Sequence, residues 1–298
     1  MQYHRLGHSS LLVSSIGFGC MSLGDREPDN EKLLHSALDL GINFFDTADL
    51  YAKGLNEEAV GKILKDKREK VVLATKVGNQ LHSDGSGWEW NAHPDYIIRS
   101  VEGSLTRLKT DRIDLYQLHG GTMEDPIDET IGAFELLQQQ GKIRYYGISS
   151  IRPEVIREYV RRSRITSVMM QYSLLDRRPE ESCLDLLGKS GIGVLARGGL
   201  AKGLLVGKSP AAYLDHPVQQ VARAASVVRS LSGSRRSPSQ TAIGYISAHP
   251  SITCAVTGFR TTEQLEAIML PKDPPALTDA EIKILRGAIP VYPYTQYR

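Results

Sequence analysis

The stretch NFFDTADLYAKGLNEEAVGKILKDKREKVVLATKV, residues 43–77, decides how the chain folds. Two short apolar runs, NFFD (43–46) and VVLATKV (71–77), flank a longer amphipathic segment. That is the pattern of a strand, a helix and a second strand. Working outward, the alternation recurs with SIGFG (15–19), IDLYQLH (113–119), YYGIS (145–149), SVMMQY (167–172), GVLAR (193–197) and CAVTG (254–258), making eight strand candidates in all. Helical patterns fall between them. NEKLLHSALDLG (30–41) places Leu33, Leu34, Ala37 and Leu38 on one face and ends in Gly41, a C-terminal cap. DYIIRSVEGSLTRLK (95–109) carries Ile97, Ile98, Val101, Leu105 and Leu108 at helical spacing behind Pro94. Eight strands alternating with helices predict an α/β fold, a (β/α)8 TIM barrel rather than an open doubly wound sheet.

The remaining segments decorate that barrel. YHRLGHSSLLVSSI, with a turn at Gly7–Ser9, reads as an N-terminal β-hairpin that closes the bottom. The segment 79–93, NQLHSDGSGWEWNAH, reads as a long loop, and SLSGSRRSPSQ (230–240) as a mobile solvated one. After Pro271 comes an extra C-terminal helix, with Thr278 as N-cap and Glu281 at capping-box spacing, and then a tail. No composition break divides the chain, so residues 1–298 are expected to form a single barrel domain.

Composition excludes several function classes. Lys and Arg total 36 against 34 Asp and Glu, a balance that calls for neither nucleic acid nor an anionic membrane. Cys20, Cys183 and Cys254 lie far apart, so no metal site is expected, and free thiols suit a reducing cytoplasm. The N-terminus lacks the apolar core of a signal peptide, and no run of 18 apolar residues suggests a membrane span. The expectation is a cytoplasmic enzyme, monomeric or weakly homo-oligomeric.

Barrel enzymes carry their chemistry at the C-terminal strand ends. Those ends supply Asp46 after the second strand, Lys76 in the third and His119 after the fourth, with Tyr51 in the turn beyond Asp46. Taken singly, the aspartate reads as a turn cap, the lysine and tyrosine as solvent-reaching side chains, and the histidine as a turn residue satisfied by backbone. Taken together they suit one task. Lys76 ends an apolar run and needs a carboxylate, for which Asp46 is the candidate one strand over. A lysine cation beside a phenol stabilises the phenolate and makes Tyr51 a workable general acid. His119 would orient a substrate oxygen. The set protonates an oxyanion forming from a carbonyl; it contains no electron source, so a cofactor must deliver hydride.

At these residues the chain resembles the aldo-keto reductases. FDTADLYAKGLNEEAVGKIL (45–64), ATKVG (74–78), SLTRLKTDRIDLYQLH (104–119) and GKIRYYGISS (141–150) match that family's recurring motifs in the same order. The resemblance covers nearly the whole chain. It implies a (β/α)8 barrel, NADPH/NADP+ as cofactor, a small carbonyl substrate, and Asp46, Tyr51, Lys76 and His119 as the catalytic tetrad. There is no Rossmann fingerprint: GFGCMSLG (17–24) has Ser22 where a third glycine belongs, and GLLVGKS (203–209) has Lys202 where a P-loop would begin. The resemblance instead assigns Gly19, Cys20 and Met21 to the nicotinamide end, and Ser149 and Gln171 to the carboxamide. It assigns the loop RGGLAKGLLVGK (197–208), with Arg197, Gly198, Gly199, Leu200, Ala201, Gly203 and Lys208, to the pyrophosphate. VTGFRTTEQLEAI (256–268), with Thr257, Gly258, Arg260, Thr261 and Gln264, falls to the adenosine phosphate. Independently of the family, a helix starting near Thr261 aims free N–H groups at an anion, and Arg260 beside it suits a 2′-phosphate.

Three positions depart from the family pattern. Ser150 stands where asparagine is usual, Arg197 where an aromatic stacks on the nicotinamide, and Ala267–Ile268 where a Glu–Asn pair touches adenine. A guanidinium beside a ring that turns positive on oxidation should disfavour NADP+ relative to NADPH. Trp88 and Trp90 in the 79–93 segment read equally as an adaptable rim of the substrate pocket and as packing; Tyr292, Tyr294 and Tyr297 in the tail read as a lid or as barrel cover. Two other functions compete with carbonyl reduction. One is an NADP(H)-binding sensor or regulatory subunit, as the resemblance to potassium-channel β subunits would allow. The other is an isomerase or lyase in which Lys76 forms a Schiff base.

Overall fold

The structure, a computed structural model, describes residues 1–296; Tyr297 lies outside the described residues. The chain opens with a hairpin, β1 (Tyr3–Arg5) and β2 (Leu12–Ser14), paired antiparallel. The barrel begins with β3 (Ile16–Gly19), β4 (Phe44–Asp46) and β5 (Val72–Val77), separated by α1 (Glu27–Asp39) and α2 (Leu55–Leu64). A second small hairpin follows, β6 (Asn79–Leu81) and β7 (Trp88–Trp90), inside the segment the sequence presents as a loop. Then come α3 (Pro94–Leu108), β8 (Ile113–Leu118), α4 (Ile127–Gln139), β9 (Ile143–Ser149), α5 (Pro153–Arg162), β10 (Ser167–Gln171), α6 (Cys183–Lys189) and β11 (Gly193–Arg197). The chain ends with α7 (Val218–Ser230), α8 (Pro238–Ser247), β12 (Ile252–Thr257), α9 (Thr262–Met269) and α10 (Asp279–Gly287). Strands β3, β4, β5, β8, β9, β10, β11 and β12 close into one parallel barrel, each pairing with the next and β12 with β3. The eight expected strands are all present, and the fold is a (β/α)8 barrel.

Two apolar layers hold it. The larger lies between the strands and the helix ring. The smaller fills the barrel itself with Phe44, Val72, Ala74, Leu115, Met169, Leu195, Cys254 and Val256. Leu6, Leu11 and Val13 of the first hairpin belong to this inner cluster. Gly7, at φ +53, sits so close to the start of β11 and the carbonyl of Thr166 that an added Cβ would lie 2.3 Å from that oxygen. The hairpin therefore closes the N-terminal end of the barrel.

Strand alternation carries the polar residues to the other end. Side chains two apart share a face, so Phe44 leads inward to Asp46, Val72 and Ala74 to Lys76, and Leu115 to Gln117. On the far side Met169 leads to Gln171 and Leu195 to Arg197. Each of these five inward columns is apolar until its last position, where it becomes polar.

The segment 230–240 is a structured turn rather than a mobile loop. Arg236 is buried and donates to the carbonyls of Leu231, Pro275 and Ala276 and to the Glu281 carboxylate. Ser237 then opens α8 with a full capping box. An arginine that satisfies several otherwise orphaned carbonyls orders a segment whose composition alone reads as coil. The expected capping box of Thr278 and Glu281 starts α10.

Candidate active site

The site is built on the top of β4, β5 and β8. Register places Asp46 opposite Ala74, and Lys76 opposite Gln117, one pleat higher. Lys76 is 1 % exposed, and its Nζ lies 2.6 Å from Asp46 Oδ2, 2.7 Å from the Thr47 carbonyl and 3.5 Å from the Tyr51 hydroxyl. Those three partners match the three donors of an ammonium group. Burial disfavours the Lys76 cation, but the Asp46 carboxylate and the Tyr51 oxygen outweigh it and hold its pKa above the usual lysine value. Gln117 steadies the carboxylate from the other side, Nε2 to Asp46 Oδ1 at 3.3 Å.

Tyr51 stands at the start of a tight turn in which Ala52 (φ 48), Lys53 (φ 56) and Gly54 (φ 92) are all left-handed. Such a conformation is unfavourable for the two non-glycine residues, and the surroundings hold it. Lys53 Nζ donates to the Gly85 carbonyl at 3.1 Å, and Asn56 bridges the Thr47 hydroxyl (2.6 Å) to the Cys20 carbonyl (2.8 Å). Gly54 admits the Arg107 side chain, which an added Cβ would meet at 2.9 Å. The turn therefore swings Tyr51 back over the mouth of its own strand.

His119 follows β8 and meets Tyr51 edge to face, ring centroids 5.8 Å apart. Its amide donates to the Val77 carbonyl at 2.7 Å. Burial, reinforced by Lys76 and Arg197, pushes its pKa down to about 3, so the imidazole is neutral at physiological pH. Its Nδ1 is buried with no hydrogen-bond partner among the described residues. The four residues expected to act together are thus brought together, and the pairing of Asp46 with Lys76 and of Lys76 with Tyr51 is the one the chemistry requires.

The two tryptophans differ. Trp90 lies over Gly78 and Gly120, where an added Cβ would fall 2.7 and 2.9 Å from its ring, and its Nε1 donates to Asp125 Oδ1 at 2.8 Å. It is a fixed wall beside His119. Trp88, on the same face of β7, is 52 % exposed. In the tail, Tyr292 hydrogen-bonds Gln220 and Tyr294 is buried under the Arg178 guanidinium, so both cover the barrel.

The residues assigned to a nucleotide ring the same mouth. Gly19 pairs with Asp46; Cys20 is buried behind it, and Met21 is 68 % exposed. Ser149 ends β9 and Ser150 follows it, its hydroxyl accepting from the Arg152 amide at 3.2 Å. Gln171 is already engaged on both sides, accepting from Arg197 Nη1 at 3.0 Å and donating to Asp176 at 2.8 Å. The 197–208 loop coils through Gly198 (φ 77), Ala201 (φ 47), Lys202 (φ 58) and Gly203 (φ 89), with Gly199 and Leu200 inside it and Lys208 exposed at its end. At the top of β12 the Thr257 hydroxyl is buried without a hydrogen-bond partner among the described residues. Gly258 lies against Ser22, whose hydroxyl bonds the carbonyls of Gly19 (3.0 Å) and Phe259 (2.7 Å).

Thr261 caps α9 as expected, but Gln264 spends its side-chain oxygen on the Arg260 amide at 2.9 Å. Ile268 faces the core, whereas Ala267 is exposed, its carbonyl accepting from the Ser237 hydroxyl at 2.5 Å. Sequence reasoning missed Gln117, Asn56, Asp125 and Ser22. Period-two alternation from Leu115 picks out Gln117, whereas the others are loop and helix residues whose partners only the fold supplies.

The pattern of the Aldo/keto reductase family matches residues 15–289. The chain is 46% identical over 296 residues to the uncharacterized oxidoreductase YqkF of Bacillus subtilis, covering 96% of each. It is 36% identical over 210 residues to the aldo-keto reductase yakc [NADP(+)] of Schizosaccharomyces pombe, covering 66% of this chain and 62% of that protein. Among solved structures, the holo form of aldo-keto reductase AKR11C1 from Bacillus halodurans is similar with a TM-score of 0.93 at 45% identity, over 100% of this chain and 99% of that one. Its apo form gives 0.85 at 44% identity over the same shares. An eight-stranded barrel, a buried Asp–Lys pair beneath Tyr51 at its mouth and a match running through both lead to one conclusion: this chain belongs to the aldo/keto reductase family, and its chemistry is that of an oxidoreductase.

Proposed function

We propose that the protein reduces aldehydes and ketones to alcohols with NADPH. The observation that carries this reading is the complete coordination of Lys76 by Asp46, the Thr47 carbonyl and the Tyr51 hydroxyl. An ammonium group so engaged is charged, which argues against a Schiff-base lysine. A bound reduced nicotinamide supplies the hydride. The protein supplies the rest: Tyr51 hands its proton to the carbonyl oxygen as negative charge develops there, and the Lys76 cation 3.5 Å from the phenol oxygen stabilises the charge left behind. Neutral His119 fixes the direction of the substrate oxygen with an imidazole N–H, and Trp90 gives the substrate a rigid apolar side. In the reverse direction the same groups remove the alcohol proton.

The residues at the mouth fit such a cofactor. The unpartnered Thr257 hydroxyl, the close Gly258–Ser22 contact, the capped N-terminus of α9 and the exposed Arg260 suit a phosphate-bearing ligand. Arg260 favours the 2′-phosphate of NADPH, and the NADP(+) in the name of the fission-yeast relative points the same way. Arg197 at the nicotinamide end favours the reduced form. Mixing the protein with NADPH and 4-nitrobenzaldehyde and following absorbance at the reduced nicotinamide band tests the reading. Turnover that vanishes in Tyr51→Phe while NADPH still binds is the expected result; turnover that survives the change overturns Tyr51 as the acid.

A further inference from the structure

The glutamine at the top of β10 is held by more than its strand. Just past β10 the chain turns back on itself: the Ser173 amide donates to the Asp176 carbonyl and the Asp176 amide to the Ser173 carbonyl, both at 3.1 Å. That turn brings the Asp176 carboxylate, 2 % exposed, against the Gln171 side chain. Arg178 grips the carboxylate with two bonds, Nε to Oδ1 at 2.7 Å and Nη2 to Oδ2 at 2.8 Å, and its guanidinium lies over the buried Tyr294 ring. The remaining donor is Gln171 Nε2, 2.8 Å from Oδ2. An ionised carboxylate only accepts hydrogen bonds. The Gln171 amide is therefore fixed one way round, its NH2 toward Asp176 and its carbonyl oxygen toward the barrel mouth. There Arg197 Nη1 donates to Oε1 at 3.0 Å. Gly198 packs on the glutamine stem, where an added Cβ would lie 3.3 Å from Cγ.

We propose that Asp176 is a specificity-determining residue: it fixes Gln171 as an acceptor toward the mouth and so tips the site toward an uncharged carboxamide over a carboxylate. The proposal rests on a nicotinamide cofactor binding at this mouth with its carboxamide at Gln171. A carboxamide NH2 donates to Oε1, whereas a carboxylate in its place sets oxygen against oxygen. Arg197 acting alone would favour the carboxylate, but with Oε1 facing it the guanidinium spends Nη1 on the glutamine. An asparagine at 176 reverses this arrangement. Its one carbonyl oxygen goes to the charged Arg178, which leaves its NH2 facing Gln171. The glutamine then turns over to accept from it, Nε2 points to the mouth, and Arg197 loses its acceptor. Both donors are then free for a carboxylate.

The test compares wild type, Asp176→Asn, Gln171→Glu and the double variant. Calorimetric titrations use NADP+ and nicotinic acid adenine dinucleotide phosphate, which differ only in carboxamide against carboxylate. In Asp176→Asn the affinity ratio should move toward the acid by about tenfold relative to wild type. Urea unfolding without ligand reads the orientation itself. Gln171→Glu sets a second carboxylate against Asp176 and should destabilise; adding Asp176→Asn, whose amide donates to the glutamate, should recover most of that loss. A residue that only anchors Arg178 would give additive losses. If Asp176→Asn does not fold, Asp176→Ala with Arg178→Met removes both members of the ion pair, frees the amide to turn and should move the ratio the same way. Additive losses, or an unmoved ratio with both dinucleotides bound, overturn the proposal; in the second case the NADPH reading stands. Recovered stability in the double variant with neither dinucleotide bound by the wild type overturns the NADPH reading, and leaves Asp176 as the residue that orients Gln171.

Discussion

Replacing Lys76 with methionine keeps most of the volume and removes the charge, leaving Asp46 buried and uncompensated. Both side chains of the pair are almost fully enclosed, at 1% and 5% exposure, so solvent screening gives little relief. Breaking such a pair from one side destabilises by roughly 3–5 kcal/mol. For a chain of this length that is a fall in Tm of about 6 °C. The loss should depend on pH with a definite sign. Burial already raises the Asp46 pKa in the wild type, and Lys76 offsets part of that. Without Lys76 the folded carboxyl keeps its proton to still higher pH, so the deficit grows as pH rises through the gap between the two folded values. It is therefore larger at pH 8 than at pH 5. Asp46→Asn combined with Lys76→Met removes both charges and should recover most of the lost stability. The assay is urea unfolding of the wild type, both single variants and the double variant at the two pH values. A deficit in Lys76→Met that ignores pH, or a double variant as unstable as the two single losses added together, refutes the pairing as the source of order at this site.

Other consequences can be checked alongside. Because His119 is neutral, its imidazole should show no titration between pH 5 and 8 in two-dimensional ¹⁵N spectra, and a midpoint near 6.5 would contradict the buried environment. Gly54→Ala forces a Cβ into a φ of 92° and against Arg107, so it should lower stability by about 1–2 kcal/mol and depress kcat through Tyr51; an unaltered melting curve would mean the turn tolerates a side chain. Arg197→Tyr should reduce the preference for NADPH over NADP+ in fluorescence titrations, and an unchanged ratio would show that the guanidinium does not read the redox state of the ring.

Much of this was legible before any coordinates, for a physical reason. Eight apolar runs separated by amphipathic segments specify the barrel, because each run has to be buried on both faces. Asp46, Lys76 and His119 were visible because each ends such a run, where the inward column turns from apolar to polar. Tyr51 was found through the chemistry of its neighbours. What stayed hidden depends on partners distant in sequence. The β6–β7 hairpin carries glycine and polar residues that read as loop, and only its position over β5 and β8 gives Trp90 the Gly78–Gly120 seat. Arg236 looked like part of a solvated stretch because the carbonyls that need it come from residues 231, 275 and 276. The engagement of Gln171 with Arg197 and Asp176 is likewise a matter of adjacent strand tops, which no motif records.

In the proposed reaction Tyr51, supported by Lys76, donates the proton to a substrate carbonyl. Its most direct measurement is stopped-flow single turnover of the NADPH-loaded protein with excess aldehyde, comparing wild type with Tyr51→Phe at matched cofactor occupancy. If Tyr51 is the acid, NADPH affinity is unchanged and hydride transfer is slower by roughly 10²–10⁴-fold. A variant that binds NADPH equally well and transfers hydride within a few-fold of the wild-type rate would contradict it.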